Sequence, residues 1–167
     1  MGERLTQTDV EKIQEELRQR KEEMRPELIE EVKETRAMGD LSENFEYHAA
    51  KGAKNRNESR IRYLERMLQN ATIVSEESHE GVVGMNNTVT IYEPEDDETE
   101  TVKITTSIRS NALEGKVSIE SPLGKALVGH KVGDKVMVMV DDDYSYEVEI
   151  RAIDQSTDAS DDEISKY

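Results

Sequence analysis

Two acidic residues three positions apart, Asp40 and Glu43, lie in a short polar segment that also contains a glycine. Side chains with this spacing project from one side of a helix or of a nearly helical turn. Mg²⁺ is usually held by one or two carboxylates, with waters and substrate phosphates as its other ligands. Near an active centre that already holds one Mg²⁺, this pair could hold a second ion and support attack of water on a phosphodiester.

The same two residues also fit a purely structural role. Asp40 and Glu43 have the spacing of a capping box, and the helix dipole favours acids in the first turn of a helix. Taken alone, the two acids favour this structural interpretation. The two roles are compatible with each other.

A long helical pattern precedes the acidic pair. Apolar residues recur at helical spacing over residues 10–38, with charged residues on the remaining faces. Pro26 cannot donate an interior hydrogen bond, so we expect a kink or short break near Arg25. Thr8 or Asp9 is the expected N-cap.

A second helical pattern follows the pair. Over residues 47–71 the seam has coiled-coil spacing, weakened in its middle by Lys54 and Asn57. A short turn between the two runs, at about residues 37–44, predicts an antiparallel coiled-coil hairpin over residues 1–76. Arms of about 30 residues extend about 45 Å, which would carry the turn far from the rest of the chain.

The pattern changes to short strands over residues 77–154. Six segments alternate apolar and polar residues: 82–83, 88–92, 102–104, 117–119, 136–140 and 146–150. One short helix is expected within residues 121–128. The prediction is an α+β chain whose second domain is a small antiparallel sheet with one helix. Residues 155–167 are polar and acidic and predict a disordered tail.

Composition narrows the class of protein. Hydrophobic residues make up only 34% of the chain and charged residues 36%, which favours an extended element beside a small packed domain. A net charge of −16 argues against stable binding of duplex DNA by the chain alone. Without cysteine there is no disulfide or thiolate metal site. No apolar run is long enough to span a bilayer and no signal pattern opens the chain, so we expect a cytoplasmic protein.

The residues around the pair resemble a known family. The run from Gly39 to Lys51, GDLSENFEYHAAK, resembles the tip signature of the Gre transcript cleavage factors, of which GreA is a member. Residues 25–29 are similar to the first helix of that family. Residues 121–129, SPLGKALVG, with Gly133-Asp134 are similar to its globular domain. The resemblance extends from about Leu5 to Ile153.

The resemblance implies a fold and a function. The C-terminal domain would be FKBP-like and would dock on bacterial RNA polymerase, while the coiled coil enters the secondary channel of that enzyme. Asp40 and Glu43 would help to hold a second Mg²⁺ and so stimulate cleavage of backtracked nascent RNA. The chain would be an accessory factor and not an enzyme, and Mg²⁺ would be bound only in the complex. We expect a monomer with no membrane contact.

Further site residues are assigned around this mechanism. Ser42 could orient a water or the RNA, and Phe45, a departure from the small residue usual in the family, could stack on an RNA base or staple the turn. Basic residues of the second arm would lie near the RNA 3′ segment or pair with the acidic first arm: Lys51, Lys54, Arg56 and Arg60. The resemblance implies polymerase docking for Ser121, Pro122, Leu123, Gly124, Leu127 and Gly129.

Two alternatives remain open at this stage. Segments 105–112 and 141–145 depart from the family pattern, so the chain could be a Gre-like homologue that occupies the channel and inhibits the polymerase. Retention of both Asp40 and Glu43 argues against inhibition. A structural coiled-coil adaptor or chaperone would need no chemistry at the turn.

Overall fold

The computed structural model of the chain describes residues 2–39, 44–156 and 158–166. The chain divides into two compact units. The N-terminal unit comprises Met1–Gly2 and Val10–Ala71, and the C-terminal unit comprises Glu3–Asp9 and Thr72–Tyr167.

This division differs from the predicted boundary at residue 76. Strand β1 (Arg4–Leu5) pairs in parallel with strand β2 (Thr72–Ile73), so both segments belong to the C-terminal unit. Neither strand is long enough to give a period-two pattern in the sequence. Thr6 then caps the first helix: its hydroxyl accepts from the Asp9 N–H at 3.2 Å and its own N–H donates to Asp9 at 2.9 Å. The cap is thus Thr6, and not Thr8 or Asp9, in a reciprocal capping box.

The first arm of the hairpin is helical with an irregular centre. Helix α1 (Gln7–Gln19) continues into a π-helical segment (Arg20–Met24) and then into helix α2 (Arg25–Arg36). The Arg25 N–H donates to the Arg20 carbonyl, five residues back. Pro26 has no N–H to complete an α-helical bond at this point, so the predicted irregularity near Arg25 is confirmed as a π segment.

The second arm is one helix, α3 (Phe45–Asn70), and the predicted hairpin is confirmed. Its buried side chains are Tyr47, Ala50, Asn57, Ile61, Leu64 and Met67. The polar residue Asn57 is only 3% exposed. Its side chain donates to the Arg20 carbonyl at 3.2 Å and accepts from Arg20 Nη1 at 2.9 Å. Asn57 therefore binds the first residue of the π segment, and the polar centre of the seam is satisfied across the hairpin.

Ion pairs also cross between the two arms. Glu16 accepts from Arg20 Nε at 2.9 Å and from Arg60 Nε at 2.8 Å, and its side chain is 22% exposed. Partial burial raises the pKa of the Glu16 carboxyl, but the hydrogen bonds from Arg60 and Arg20 outweigh it and leave the pKa below its ordinary value. Arg25 forms a bidentate pair with Glu58, at 2.8 and 2.9 Å.

The C-terminal unit is built on a five-stranded sheet in the order β5-β4-β3-β7-β6. The strands are β3 (Thr88–Glu93), β4 (Glu98–Thr105), β5 (Lys116–Ser118), β6 (Lys135–Met139) and β7 (Ser145–Asp154). The prediction of an all-antiparallel sheet is wrong in one respect, because β5 pairs in parallel with β4. Two short 3₁₀ turns within residues 107–114 bring the chain back alongside the C-terminal part of β4, so that β5 runs in the same direction as β4.

One face of this sheet carries the core. Alternate residues of the four longer strands are buried: Val89, Ile91, Val102, Ile104, Val136, Val138, Val148 and Ile150. Helix α4 (Pro122–Leu127) covers this face and contributes Leu127, which has no exposed surface. The predicted strand at Val82-Val83 is wrong: this segment is a loop, although Val83 enters the core and bonds through its backbone to His130 and Gly129. None of the helices described is long and apolar enough to cross a membrane.

The C-terminal segment differs from the expected disordered tail. Its described residues, 155–156 and 158–166, form no helix or strand, but Ala159 and Asp162 are buried at 5% and 3% exposure. Asp162 accepts from Lys103 and Arg109, and the Ser165 N–H donates to the Ile108 carbonyl at 2.6 Å. The acidic composition of this segment gave no indication that the Asp162 carboxylate pairs with basic residues elsewhere in the same unit.

Glu16→Gln tests the ionic contacts between the arms. The change removes the charge that Arg20 and Arg60 share, and we expect a loss of about 1–2 kcal/mol of unfolding free energy at pH 7. Because the folded pKa of Glu16 is depressed, its contribution is complete above the unfolded pKa of 4.5 and is lost as pH falls through the lower folded value. The difference between variant and wild type should therefore shrink below pH 4.5. Urea unfolding followed by circular dichroism measures it, and the exposed Glu11→Gln is the matched control. Equal losses in the two variants would contradict the prediction.

Candidate functional site

The predicted catalytic residues Asp40, Ser42 and Glu43 lie outside the described residues. The structure does describe the helix ends that lead into and out of this segment. Helix α2 ends at Arg36, and Gly39 follows with a φ of +126°, a backbone conformation that residues with a Cβ rarely adopt. Helix α3 begins at Phe45.

Asn44 joins the ends of the two arms. Its side-chain oxygen accepts from the Tyr47 N–H at 3.0 Å, which makes it the N-cap of α3. Its side-chain nitrogen donates to the Thr35 carbonyl at 2.6 Å, near the end of α2. One amide thus satisfies an orphan donor at the start of α3 and adds a second donor to the Thr35 carbonyl, which also accepts from the Met38 N–H at 3.2 Å. This fixes the separation of the two chain ends from which residues 40–43 extend.

The position of this cap bears on the structural interpretation of the acidic pair. A capping box at Asp40 and Glu43 would have Asp40 as its N-cap, whereas helix α3 begins at Phe45 and has Asn44 as its cap, with φ −85° and ψ 89°. The described start of α3 therefore does not depend on the acidic pair. Asp40 and Glu43 themselves lie outside the described residues, and their metal-binding role stays a prediction.

An aromatic contact supports the same end of the hairpin. Tyr47 is 7% exposed and packs with Val32 and Ala50, as expected for the first residue of the seam. The Arg36 guanidinium lies 5.6 Å from the centre of the Tyr47 ring and donates to its hydroxyl at 3.5 Å. The hydrogen bond from Arg36 lowers the pKa of the Tyr47 hydroxyl below its ordinary value. The hairpin is thus packed as far as the last turn of α2 and the first turn of α3.

Phe45 is the first residue of α3 and is 86% exposed. A staple would require the ring to pack against a residue of the helix, which burial of this ring would reveal. The ring is therefore not packed against α3 and is open to contact with a partner, while a contact with the turn at residues 40–43 lies outside the described residues.

The basic residues of the second arm fall into two groups. Lys51 and Arg56 are exposed and Lys54 is partly exposed. Arg60 has a side chain only 11% exposed and is paired with Glu16. For Arg60 the structure supports the intramolecular alternative. Its partner Glu16 lies on the first arm of the hairpin, as that alternative requires.

The residues predicted to dock on a partner occupy α4 and its flanks. The Ser121 hydroxyl caps this helix by accepting from the Gly124 N–H at 3.1 Å, and Pro122 occupies the first turn. Gly124 lies so close to β5 that an added Cβ would be 1.9 Å from the Ser118 carbonyl oxygen. Gly124 and Leu127 are buried. Because both residues are buried, we assign them to the packing of α4 against the sheet and not to direct contact with a partner.

The surface candidates are therefore Ser121, Pro122, Leu123 and Gly129, of which Pro122 and Gly129 are exposed. A cleft beside them is lined by Leu123, Val117, Val140 and Tyr146. Burial raises the pKa of the Tyr146 hydroxyl, and the negative charges of Glu93 and Glu100 raise it further. The C-terminal unit thus has an apolar cleft with acidic residues near one of its walls.

Sequence reasoning did not identify Asn44 and Thr35 as site residues. The signal for Asn44 was present, since Asn is among the strongest N-cap residues and stands directly before a helical pattern. Thr35 acts through its backbone carbonyl and gave no signal. Across residues 2–39, 44–156 and 158–166, no group of three or more His, Asp or Glu side chains is arranged to hold a metal ion.

Comparison with known proteins defines the class. Residues 3–73 match the model of the N-terminal domain of transcription elongation factors, and residues 77–155 match the GreA/GreB C-terminal domain. The chain belongs to the GreA/GreB family of transcription elongation factors.

Individual relatives agree with this assignment. The chain is 43% identical over 134 residues to transcription elongation factor GreA of Staphylococcus aureus strain JH9, which covers 80% of this chain and 85% of the relative. Among solved structures, it is similar to GreA factor homolog 1 (Gfh1) of Thermus thermophilus, with 30% identity, a TM-score of 0.43 and coverage of 92% of this chain and 99% of the other. A GreA/GreB factor of Nitrosomonas europaea is 27% identical with a TM-score of 0.38, covering 56% of this chain and 77% of that one.

Asn44→Ala tests the junction of the two arms. Loss of the cap should cost about 1 kcal/mol and speed hydrogen exchange at the Tyr47 amide. Asn44→Asp keeps an acceptor for that amide but cannot donate to the Thr35 carbonyl. We expect it to retain the Tyr47 protection while loosening residues 35–39. Hydrogen exchange followed by NMR separates the two effects, and unchanged exchange in both variants would exclude Asn44 as the junction.

Proposed function

We propose that this chain binds bacterial RNA polymerase and stimulates cleavage of backtracked nascent RNA by completing an Mg²⁺ site in that enzyme. The chain is an accessory factor in this proposal, because the polymerase supplies the first metal ion and the RNA. Its hairpin enters the secondary channel, and its C-terminal unit docks outside. The proposal rests on the placement of Asp40 and Glu43 between two packed helix ends in a chain of the GreA/GreB family.

The observation that carries the proposal is the cap of α3. Asn44 supplies it, so the two carboxylates are not required for the start of that helix. The donor set fits the proposed ion, since Mg²⁺ is a hard cation that binds carboxylate oxygens and retains waters and phosphates. Asp40 and Glu43 would hold the ion jointly with the polymerase. The bound ion would stabilise charge on the attacking and leaving oxygens of the phosphodiester.

The contribution of the chain itself is positioning. Helix α3 has 26 residues and is therefore about 39 Å long, so the hairpin is long enough to carry its turn into a narrow channel. The Asn44 amide and the Arg36–Tyr47 contact hold both helix ends together up to the last turn. Catalytic groups that are positioned before the substrate arrives lower the entropic cost of reaction. Ser42 is assigned the orientation of a water or of the RNA.

Docking is assigned to the surface around α4. Ser121, Pro122, Leu123 and Gly129 form the candidate contact, while Gly124 and Leu127 hold the helix against the sheet. The apolar cleft and the acidic residues near Tyr146 favour a partner surface that is apolar with basic residues at its edge.

Contact with RNA is assigned to Phe45 and to the exposed cations of the second arm, Lys51, Lys54 and Arg56. An exposed ring at the start of α3 offers a stacking surface for an unpaired base. Positive side chains attract the phosphates of an extruded strand without reading its sequence. Arg60 is excluded from this group because its guanidinium forms an ion pair with Glu16.

Asp40→Ala and Glu43→Ala test the metal site in halted polymerase complexes. We expect each to lower stimulated RNA cleavage by about 100-fold or more, the scale associated with loss of one positioned catalytic group. High Mg²⁺ concentration should restore part of the rate, because the loss lies in metal affinity. Glu46→Ala, an exposed acid in the first turn of α3, is the matched control and should retain full stimulation.

The same assay separates the alternatives. If the wild-type chain slows cleavage, it is an inhibitor that occupies the channel. If neither carboxylate matters and polymerase binding is absent, the adaptor interpretation replaces the proposal. Cleavage of free RNA by the chain alone would contradict its assignment as an accessory factor.

Phe45→Ala tests the stacking role separately from the metal site. Because the ring is 86% exposed, we expect little change in the unfolding free energy and a loss of stimulated cleavage of about 5- to 150-fold, corresponding to about 1–3 kcal/mol for one stacked base. Phe45→Tyr should retain activity, since it keeps the aromatic face. If Phe45→Ala and Phe45→Tyr behave alike, the ring does not stack on RNA.

A further inference from the structure

The C-terminal segment places one carboxylate among three cations. Asp162 is 3% exposed and accepts from Arg109 Nη1 at 2.7 Å and from Lys103 Nζ at 3.1 Å. Lys116 Nζ lies 3.3 Å from the same carboxylate. Residues 77–167 contain 8 Lys and Arg against 21 Asp and Glu, so three of their eight cations converge on one acid.

The three cations need a nearby anion for stability, whether that anion belongs to this chain or to another molecule. Lys103 and Lys116 are directly opposite each other in the parallel pair of β4 and β5, a position where like charges destabilise a sheet. Arg109 has no exposed surface, and a buried cation is stable only when it is paired. Asp9 forms an ion pair with one side of the Arg109 guanidinium. Glu114 forms an ion pair with Lys116 on the more exposed side of that lysine. The space among the three cations is filled by Asp162.

The segment that carries Asp162 attaches to the sheet mainly through polar contacts. Among its described residues there is no helix or strand, and Ala159 is buried. Gln155 anchors the start of the segment by donating to the His79 and Val82 carbonyls. Further along, Lys103 Nζ donates to the Asp158 carbonyl at 2.7 Å, and the Ser165 N–H donates to the Ile108 carbonyl. Burial raises the pKa of the Asp162 carboxyl, but hydrogen bonds from Lys103 and Arg109 outweigh it and lower the pKa overall. Asp162 is thus the ionised side chain that joins residues 158–166 to the three cations.

We propose that Lys103, Arg109 and Lys116 form a binding site for an acidic peptide segment, and that the chain's own C-terminal segment occupies this site through Asp162. The ligand class follows from the contacts: one carboxylate on a segment without helix or strand, with a backbone carbonyl four residues earlier bound by the same lysine. The site is independent of the proposed role in RNA cleavage.

Occupancy also affects the start of α1. The Asp9 carboxylate accepts from the Arg109 guanidinium, from the Thr106 hydroxyl at 2.7 Å and from the Thr6 N–H. Arg109 therefore joins the capping box of α1 to the C-terminal segment. Loss of Asp162 leaves a buried guanidinium with Asp9 as its remaining carboxylate, which should loosen residues 3–9.

The test uses the full chain in three forms: wild type, Asp162→Asn and the matched control Asp161→Asn. Asp161 is adjacent and exposed, so its substitution makes the same charge change outside the site. The probe is a fluorescent peptide with the sequence of residues 155–167, and a second peptide carries the Asp162→Asn change. We expect the first peptide to bind the Asp162→Asn chain at least tenfold more tightly than the other two chains. The second peptide should bind at least tenfold more weakly, and added NaCl should weaken binding.

Order in the segment is measured independently. Heteronuclear ¹⁵N NOE values for residues 158–166 should approach those of the strands in wild type and in Asp161→Asn, and should fall in Asp162→Asn. Low values in wild type would overturn the proposal, and this measurement does not depend on the folding of any variant. Equal peptide affinity for all three chains, or no binding to any of them, would also overturn it. Neither readout involves RNA polymerase, so failure here is distinguishable from failure of the proposed function.

Discussion

A hairpin of two helices buries only a narrow face of each helix, and the polar residues on that face need partners within the hairpin. Asn57 bonds across the arms to Arg20, while Glu16 pairs with Arg60 on the other arm and with Arg20 on its own. At the end of the hairpin the Asn44 amide serves both helices. These contacts specify register as well as stability, because an amide in the seam has its partner at one alignment only.

The same constraint bears on the role proposed for the hairpin. If Asp40 and Glu43 act in the active centre of another enzyme, they must arrive in a defined position, and packed helix ends on either side favour that. Packing of Tyr47 against Val32 and the bond from Asn44 to Thr35 extend order to the last turn of each arm. Phe45 and the exposed lysines add contacts whose cost in stability is small, since they are not part of the seam.

The sequence was sufficient for the hairpin, the break near Pro26 and the strands with clear alternation, since each depends on local periodicity or on a missing N–H. The assignment of Asp40 and Glu43 depended on resemblance, because two acids at this spacing, taken alone, favour a helix cap. The parallel pairing of β5, the strands β1 and β2, and the burial of Asp162 depend on residues far apart in the chain. An acidic tail has the composition of disorder, and only the three-dimensional arrangement shows that Lys103 and Lys116 face each other and require an anion.

The π segment at Arg20–Met24 has a consequence for how sequences of this kind can change length. A π turn holds one more residue than an α turn, so it takes up an extra residue while the helix on either side keeps its orientation. Deletion of one residue within this segment would therefore restore a regular α-helix and leave Val32 and Thr35 facing α3. The same deletion elsewhere in the first arm would rotate the residues that follow it by about 100° and turn Val32 and Thr35 away from α3. A change of one residue in length should thus be tolerated at the π segment and not elsewhere in this arm.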